Sequence, residues 1–194
     1  MQLRPYQLQA VEWIIDHPRT NLFIPMGGGK TLSVLTALDL LTMTEDPFPV
    51  LVVAPLRVAN STWPDEVKKW AHLRHLTVSV VAGDRRERVA AIKGPQADIY
   101  CTNYDNLIWL FEGAETRPAF RTIVADEVTK LKGFRVRQGS KRARALAKNA
   151  FKSSRFIGLT GTPASNGLED LWGITWFLDK GERLGKSLDR KSVV

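Results

Sequence analysis

Asn21-Leu-Phe-Ile-Pro-Met-Gly-Gly-Gly-Lys-Thr31 decides the fold. A short β-like run, Asn21–Ile24, passes through Gly27, Gly28 and Gly29 into a helical spacing of Leu32, Leu35, Leu38 and Leu41. Strand, glycine loop and helix in that order make a phosphate cradle. Glycine lets backbone N–H groups come close to an anion, and the helix opening at Thr31 adds the positive end of its dipole. Lys30 is placed to reach β- and γ-phosphates and Thr31 to set its hydroxyl on a metal, which implies ATP and Mg²⁺ as cofactors. Ile24 occupies the first glycine position of the strict G-x-x-x-x-G-K-[ST] pattern, so the strand-loop-helix context carries the reading.

Such a loop needs an acid on a neighbouring strand. Thr122-Ile-Val-Ala-Asp-Glu127 supplies four mostly apolar residues and then two carboxylates. Asp126 falls at the carboxyl end of a buried strand, where open α/β sheets bind their ligands. There Asp126 would hold Mg²⁺ and Glu127 would polarise an attacking water.

Further runs of the same kind lie at Val50–Ala54, Thr77–Val81, Ile99–Thr102 and Phe156–Thr160. Helices are expected over Thr31–Leu41, over Lys141–Lys148 behind a Ser140 N-cap, and over Glu169–Leu178 after Gly167. This alternation predicts one α/β domain with a mostly parallel sheet flanked by helices. Trp172 and Trp176, four apart on the last helix, face either the core or an absent docking partner.

Composition narrows the class. With 194 residues, 44% of them hydrophobic and 25% charged, the chain suits a globular domain. No purely apolar run exceeds about five residues, as in Val50–Ala54, far short of the roughly 20 that span a bilayer. Pro5 and Gln7 sit where a signal peptide would be apolar, and Cys101 has no second cysteine to pair with. His17, His72 and His75 show no metal-ligand spacing with Cys101 and read as packed or solvated side chains. The net charge is +8, and from Lys130 to Arg155 there are ten basic residues and no acid, against 18 basic and 20 acidic elsewhere. One segment therefore carries the whole imbalance, which suits a polyanionic partner.

Six segments then form an ordered set: Leu3-Arg-Pro-Tyr-Gln7, Met26-Gly-Gly-Gly-Lys-Thr31, Val52-Val-Ala-Pro-Leu56 with Trp63 and Trp70, Thr102-Asn-Tyr-Asp105, Asp126-Glu127 and Leu159-Thr-Gly-Thr-Pro163. Together they resemble the motifs of superfamily-two helicases, and most nearly the Snf-type translocase ATPases, phage and bacterial members included. Asn166-Gly-Leu-Glu-Asp-Leu-Trp172 resembles the stretch after the Thr-Gly-Thr-Pro motif in that family, and the likeness runs over about residues 2–188.

The resemblance implies a RecA-like first lobe over residues 1–188, in a DNA-dependent ATPase that couples hydrolysis to movement on DNA, duplex favoured. It implies that Gln7 reads the adenine edge, that Gly27, Gly28, Gly29, Lys30 and Thr31 hold the nucleotide, and that Thr160, Gly161 and Thr162 relay nucleotide state. Pro55, Arg57, Thr102 and Asn103 match segments along a nucleic-acid backbone, and Arg142 and Arg144 add basic contacts. It further implies a second RecA-like lobe outside this chain, whose arginine finger is worth about 10³–10⁵ in turnover in related enzymes. The isolated chain would then bind MgATP weakly and hydrolyse it poorly, in the cytoplasm of a bacterium or of a phage-infected host.

Two other readings stay open: a nucleotide- or DNA-binding module without turnover, and an unrelated small P-loop enzyme such as a kinase, against which Gln7 and the Thr-Gly-Thr-Pro motif count. Three departures from the family pattern stand out: Ile24-Pro25 where acids usually precede the methionine, Gly28 in place of leucine, and Asp-Glu-Val-Thr at the acid pair. Gly28 should loosen the loop by on the order of 1 kcal/mol of backbone entropy. Asp189-Arg-Lys-Ser-Val-Val194 is what translating GATCGGAAGAGCGTCGTGTAG, a common sequencing-adapter string ending in a stop codon, would give; on that expectation it carries no fold information.

Overall fold

Six β-branched and apolar runs pair into one sheet in the computed structural model, which describes residues 3–132, 134, 140–164 and 167–185. The strands are β1 (Arg19–Phe23), β2 (Val50–Ala54), β3 (Val78–Val81), β4 (Ile99–Asn103), β5 (Thr122–Asp126) and β6 (Arg155–Thr160). Every pairing is parallel, in the order β1-β6-β5-β2-β4-β3. The register sets Phe23 beside Thr160, Leu159 beside Asp126 and Ala54 beside Asn103, so the carboxyl ends of five strands line one edge.

Helices α1 (Pro5–Asp16), α2 (Lys30–Leu41) and α3 (Trp63–Lys69) cover one face, against Val50, Val52, Ala54, Val124, Ile157 and Leu159. On the other face, α4 (Arg85–Lys93), α5 (Lys141–Ala150) and α6 (Leu168–Asp179) pack with Leu51, Val53, Ile123, Ala125 and Phe156. Alternate residues of β2 thus enter opposite layers, and all five are fully buried. A strand covered on both sides has no polar face to show, which is why it reads as an unbroken apolar run.

All six expected strands form, with ends within two residues of the expectation. Helix α2 is more enclosed than a single leucine face implies. Ser33, Val34, Thr36 and Ala37 are buried along with the leucines, because α1, α3 and the sheet surround it. Ser140 does sit at the N-cap of α5, but its hydroxyl makes no capping bond. Trp172 is buried and its indole donates to Gly185 O at 3.0 Å. Trp176 packs against Phe134 and Phe177, so this face belongs to the core.

Helices α1, α3 and α4 were not expected from periodicity. Only Ile92 of α4 is buried; a reciprocal cap starts the helix, with Glu87 N donating to Asp84 and Asp84 N to Glu87 at 2.9 and 2.7 Å. At the amino ends of the strands, two arginines, Arg155 buried and Arg19 half-buried, tie helix C-termini to the sheet. Arg155 donates to Ile14 O and Ile15 O at the end of α1, while Arg19 donates to Ala150 O, Phe177 O and Leu178 O at the ends of α5 and α6. Burial lowers the pKa of Arg19. Arg135 and Arg137 of the basic run, Asn166 and the segment 189–194 lie outside the described residues. Among the described residues no helix is long and apolar enough to cross a membrane.

Candidate nucleotide site

The loop after β1 turns on two left-handed glycines, Gly27 at φ 75° and Gly29 at φ 76°. Gly29 is the N-cap of α2, and the first hydrogen bond into the helix is Ser33 N to Gly29 O. The N–H groups of Lys30, Thr31 and Leu32 precede that bond and point out of the helix end. Lys30 Nζ folds across the loop and donates to Ile24 O and Pro25 O at 2.9 and 3.2 Å. Free amides at a helix end and an ammonium converge here, which fits a polyphosphate.

Gln7, on the first turn of α1, fastens this loop. Its Oε1 accepts from Arg4 N at 2.9 Å and its Nε2 donates to Gly28 O at 3.3 Å, while Tyr6 Oη donates to the same carbonyl at 3.1 Å. A Cβ on Gly29 would stand 2.2 Å from Gln7 Nε2 and displace that amide, while the left-handed φ of 76° is what favours glycine there. A Cβ on Gly28 would stand 2.5 Å from Ile24 Cγ2 and 3.0 Å from Pro25 O. The departures at residues 24 and 28 are therefore one feature: the Ile24 side chain occupies the room that a larger residue 28 would need.

Asp126 closes β5 and is half-buried. Its Oδ2 accepts from Trp63 Nε1 at 3.0 Å, and Trp63 is itself wholly enclosed. Burial raises the Asp126 pKa, with Glu127 adding to the rise; the Trp63 bond, the Lys30 charge and a backbone bond oppose it. Glu127 follows in a left-handed conformation, φ 60° and ψ 57°, a strained geometry for a side-chain-bearing residue. Its Oε1 accepts from Thr129 Oγ1 at 2.5 Å and Thr160 Oγ1 at 2.9 Å. Thr160 Oγ1 in turn accepts from Thr162 N at 3.1 Å. Gly161 lies against the phosphate loop: a Cβ there would be 3.4 Å from Met26 N.

A cavity of about 630 Å³ joins Gln7, Gly27, Gly29, Lys30, Thr31, Asp126 and Glu127. That volume is in the range of small-molecule and cofactor sites. Its far wall holds Glu66 and Trp70, joined by Trp70 Nε1 to Glu66 Oε2 at 2.6 Å. Sequence reasoning gave Trp63 and Tyr104 no role in the site. Tyr104 Oη donates to Asp126 O and Glu127 O at 2.8 and 3.2 Å, linking the turn after β4 to the acid pair. The only advance signal was that both residues fall inside the quoted motif segments.

The candidate nucleic-acid residues divide. Arg57 is exposed, Pro55 lies on the cavity wall, and Asn103 Oδ1 accepts from Asn106 N at 3.2 Å. Thr102 does not fit the expected contact: it is fully buried, and its hydroxyl donates to Val81 O at 2.7 Å. The basic run is not one surface either. Arg155 is internal, Lys132 pairs with Asp170 at 3.4 Å, and Arg142 pairs with Asp105. Arg144 stands on a separate cavity with Lys148 and Lys180.

The parallel sheet, the glycine loop and the acid pair define a RecA-like P-loop lobe. Residues 6–184 match the SNF2-related domain, and the chain belongs to that family. It is 50% identical over 186 residues to a putative protein of Acyrthosiphon pisum secondary endosymbiont phage 1, covering 95% of this chain and 40% of the relative. It is 30% identical over 190 residues to the Saccharomyces cerevisiae ISWI chromatin-remodeling complex ATPase ISW1, covering 91% of this chain and 16% of the relative. Among solved structures, the Sulfolobus solfataricus SWI2/SNF2 ATPase core in complex with dsDNA superposes with a TM-score of 0.75 at 32% identity, over 93% of this chain and 36% of the archaeal one. The chain thus spans well under half the length of these relatives.

Proposed function

We propose that this chain is the ATP-binding lobe of a DNA-dependent ATPase, in which hydrolysis drives movement along duplex DNA. The observation that carries the reading is the meeting of Lys30, Asp126 and Glu127 on one cavity at the carboxyl edge of the sheet, with Thr160 bonded to Glu127.

Gly27, Gly29 and the free amides of α2 bind the phosphates, and Lys30 exchanges its loop carbonyls for phosphate oxygens. Thr31 and Asp126 would hold Mg²⁺, with Asp126 Oδ2 fixed by the Trp63 indole. Bound Mg²⁺ neutralises charge on the phosphates. Glu127 orients the attacking water and takes up its proton. Two hydroxyls already occupy Glu127 Oε1, so Thr160 and Thr129 set its direction. Thr160, Gly161 and Thr162 pass the state of Glu127 to the loop edge, and Gln7 reads the adenine edge beside Gly28. Arg57, Pro55 and Asn103, on the same edge, meet the DNA backbone, which gives grip without sequence choice. The dsDNA in the similar archaeal structure supports duplex as the partner.

The test is ATP turnover by the parent protein, with and without duplex DNA, beside Glu127→Gln. The proposal expects stimulation by DNA and loss of turnover with retained nucleotide binding in the variant. Turnover that ignores DNA, or persists in Glu127→Gln, would overturn it. Tight nucleotide and DNA binding without any turnover would make the chain a binding module.

A further inference from the structure

A second cavity, of about 310 Å³, opens between the C-terminal ends of α5 and α6. It lies near the amino ends of β1 and β6, where Arg19 joins the two helix ends, and so at the opposite edge of the sheet from the phosphate loop. Its apolar part is Phe134, Ala147, Phe151 and Trp176; its charged part is Arg144, Lys148 and Lys180.

Three features set this cavity apart from an ordinary solvated surface. First, among the described residues no acid lines it and none of Arg144, Lys148 and Lys180 has a carboxylate within ion-pair distance. Arg144 and Lys148 stand four apart on one helix, a like-charge spacing that weakens the helix unless a counter-charge arrives. Second, the negative dipole ends of α5 and α6, which would repel an anion, are compensated. Arg19 binds the carbonyls of Ala150, Phe177 and Leu178 from inside and stacks on Phe151, its guanidinium carbon 4.4 Å from the ring centre. Lys180 Nζ lies 4.8 Å from the centre of the same ring. Third, the indole N–H of Trp176, a residue of the cavity wall, is buried and has no acceptor among the described residues.

We infer that this cavity grips the sugar–phosphate backbone of a nucleic-acid strand, at a contact separate from the loop edge. Phosphates sit on Arg144, Lys148 and Lys180, and a sugar lies against Phe151 and Trp176. Contacts of this kind, to phosphate and sugar, are indifferent to sequence. The inference rests on the nucleic-acid partner of the proposed function but not on the ATP site.

The experiment uses the 194-residue chain and a fluorescent oligonucleotide, with affinity followed by anisotropy across salt concentrations. Lys148→Ala/Lys180→Ala is compared with the unaltered chain after circular dichroism shows both folded. The expected result is a salt slope smaller by about 1 for each phosphate that the variant no longer neutralises, with MgATP binding unchanged. In parallel, lysine acetylation read by mass spectrometry should show Lys148 and Lys180 protected by the oligonucleotide. Inorganic tripolyphosphate and an acidic peptide should not protect them. An equal slope in a folded double variant overturns the inference; so does protection by tripolyphosphate or the peptide alone, which would assign the cavity to a free anion or to a protein partner. Lys30→Ala separates the two proposals. Loss of ATP binding with the footprint retained leaves this contact standing, and a missing footprint beside intact DNA-stimulated turnover removes only this contact.

Discussion

Thr160 Oγ1 donates a 2.9 Å hydrogen bond to Glu127 Oε1, joining the end of β6 to the residue that follows β5. The bond crosses between adjacent strands at the edge where the nucleotide is proposed to bind, and it orients the carboxylate proposed to position water. Hydrogen bonds to charged groups are worth about 1.5–3 kcal/mol, or roughly 10- to 100-fold in rate. Thr160→Val should therefore lower turnover of the parent by about that factor and leave nucleotide affinity within about threefold. Thr160→Ser should retain most of the activity. The check is a comparison of kcat and KM for the two variants; a change in KM alone would show that Thr160 serves binding instead.

Trp63 holds Asp126 from the side away from solvent. Trp63→Phe keeps an aromatic ring in the same enclosed space but removes the indole donor, leaving Asp126 Oδ2 without that partner. The fold should lose about 1–3 kcal/mol, or roughly 2–4 °C of melting temperature per kcal/mol for a chain of this size. The half-saturating Mg²⁺ concentration for nucleotide binding should also rise. Thermal melts and Mg²⁺ titrations measure the two effects separately, and a stability loss with an unmoved Mg²⁺ requirement would confine Trp63 to packing.

Ile24 and residue 28 share one space. Gly28→Leu alone should be destabilising, because the new Cβ would meet Ile24 Cγ2 at 2.5 Å. Ile24→Ala should relieve much of that cost, with a coupling of about 0.5–3 kcal/mol in a double-mutant cycle. Denaturant unfolding of the four proteins supplies the cycle. Additive effects would mean that the loop absorbs the side chain by moving elsewhere.

Burial raises the Asp126 pKa in the folded, metal-free chain. A carboxyl raised on folding contributes stability that is fully present below the unfolded pKa and lost as pH rises through the folded value. At neutral pH the ionised, desolvated carboxylate therefore opposes folding. Asp126→Asn should melt higher than the unaltered chain at pH 7 in chelator, and the gap should narrow as the buffer approaches pH 4. A variant that melts lower at pH 7 would show that the Trp63 bond and the Lys30 charge outweigh desolvation.

The sheet was legible because its strands are buried on both faces. Val50–Ala54 and Thr122–Asp126 form over the residues expected, since a doubly covered strand has only apolar positions to show. Helix α4 was not legible, as its single buried residue gives no period and only the Asp84–Glu87 cap marks its start. In the site, Lys30 and Asp126 could be read from glycine spacing and strand ends, which are local. Trp63 and Tyr104 could not: their bonds to Asp126 and Glu127 span 63, 22 and 23 residues and depend on how the sheet brings loops together. The basic run misled for the same reason, because a count of charges does not show that Arg155 points inward or that Asp105 meets Arg142.

Lys30 is the cation that the glycine loop sets against the proposed phosphates. Calorimetric titration of MgATP into the chain and into Lys30→Ala, each shown to be folded, measures whether the loop is a nucleotide site. The expected result is Mg²⁺-dependent binding by the unaltered chain and at least about tenfold weaker binding by the variant, since the alanine makes no charge-assisted bond to phosphate. Equal affinity in the two proteins would contradict it, because the glycine loop would then hold no phosphate.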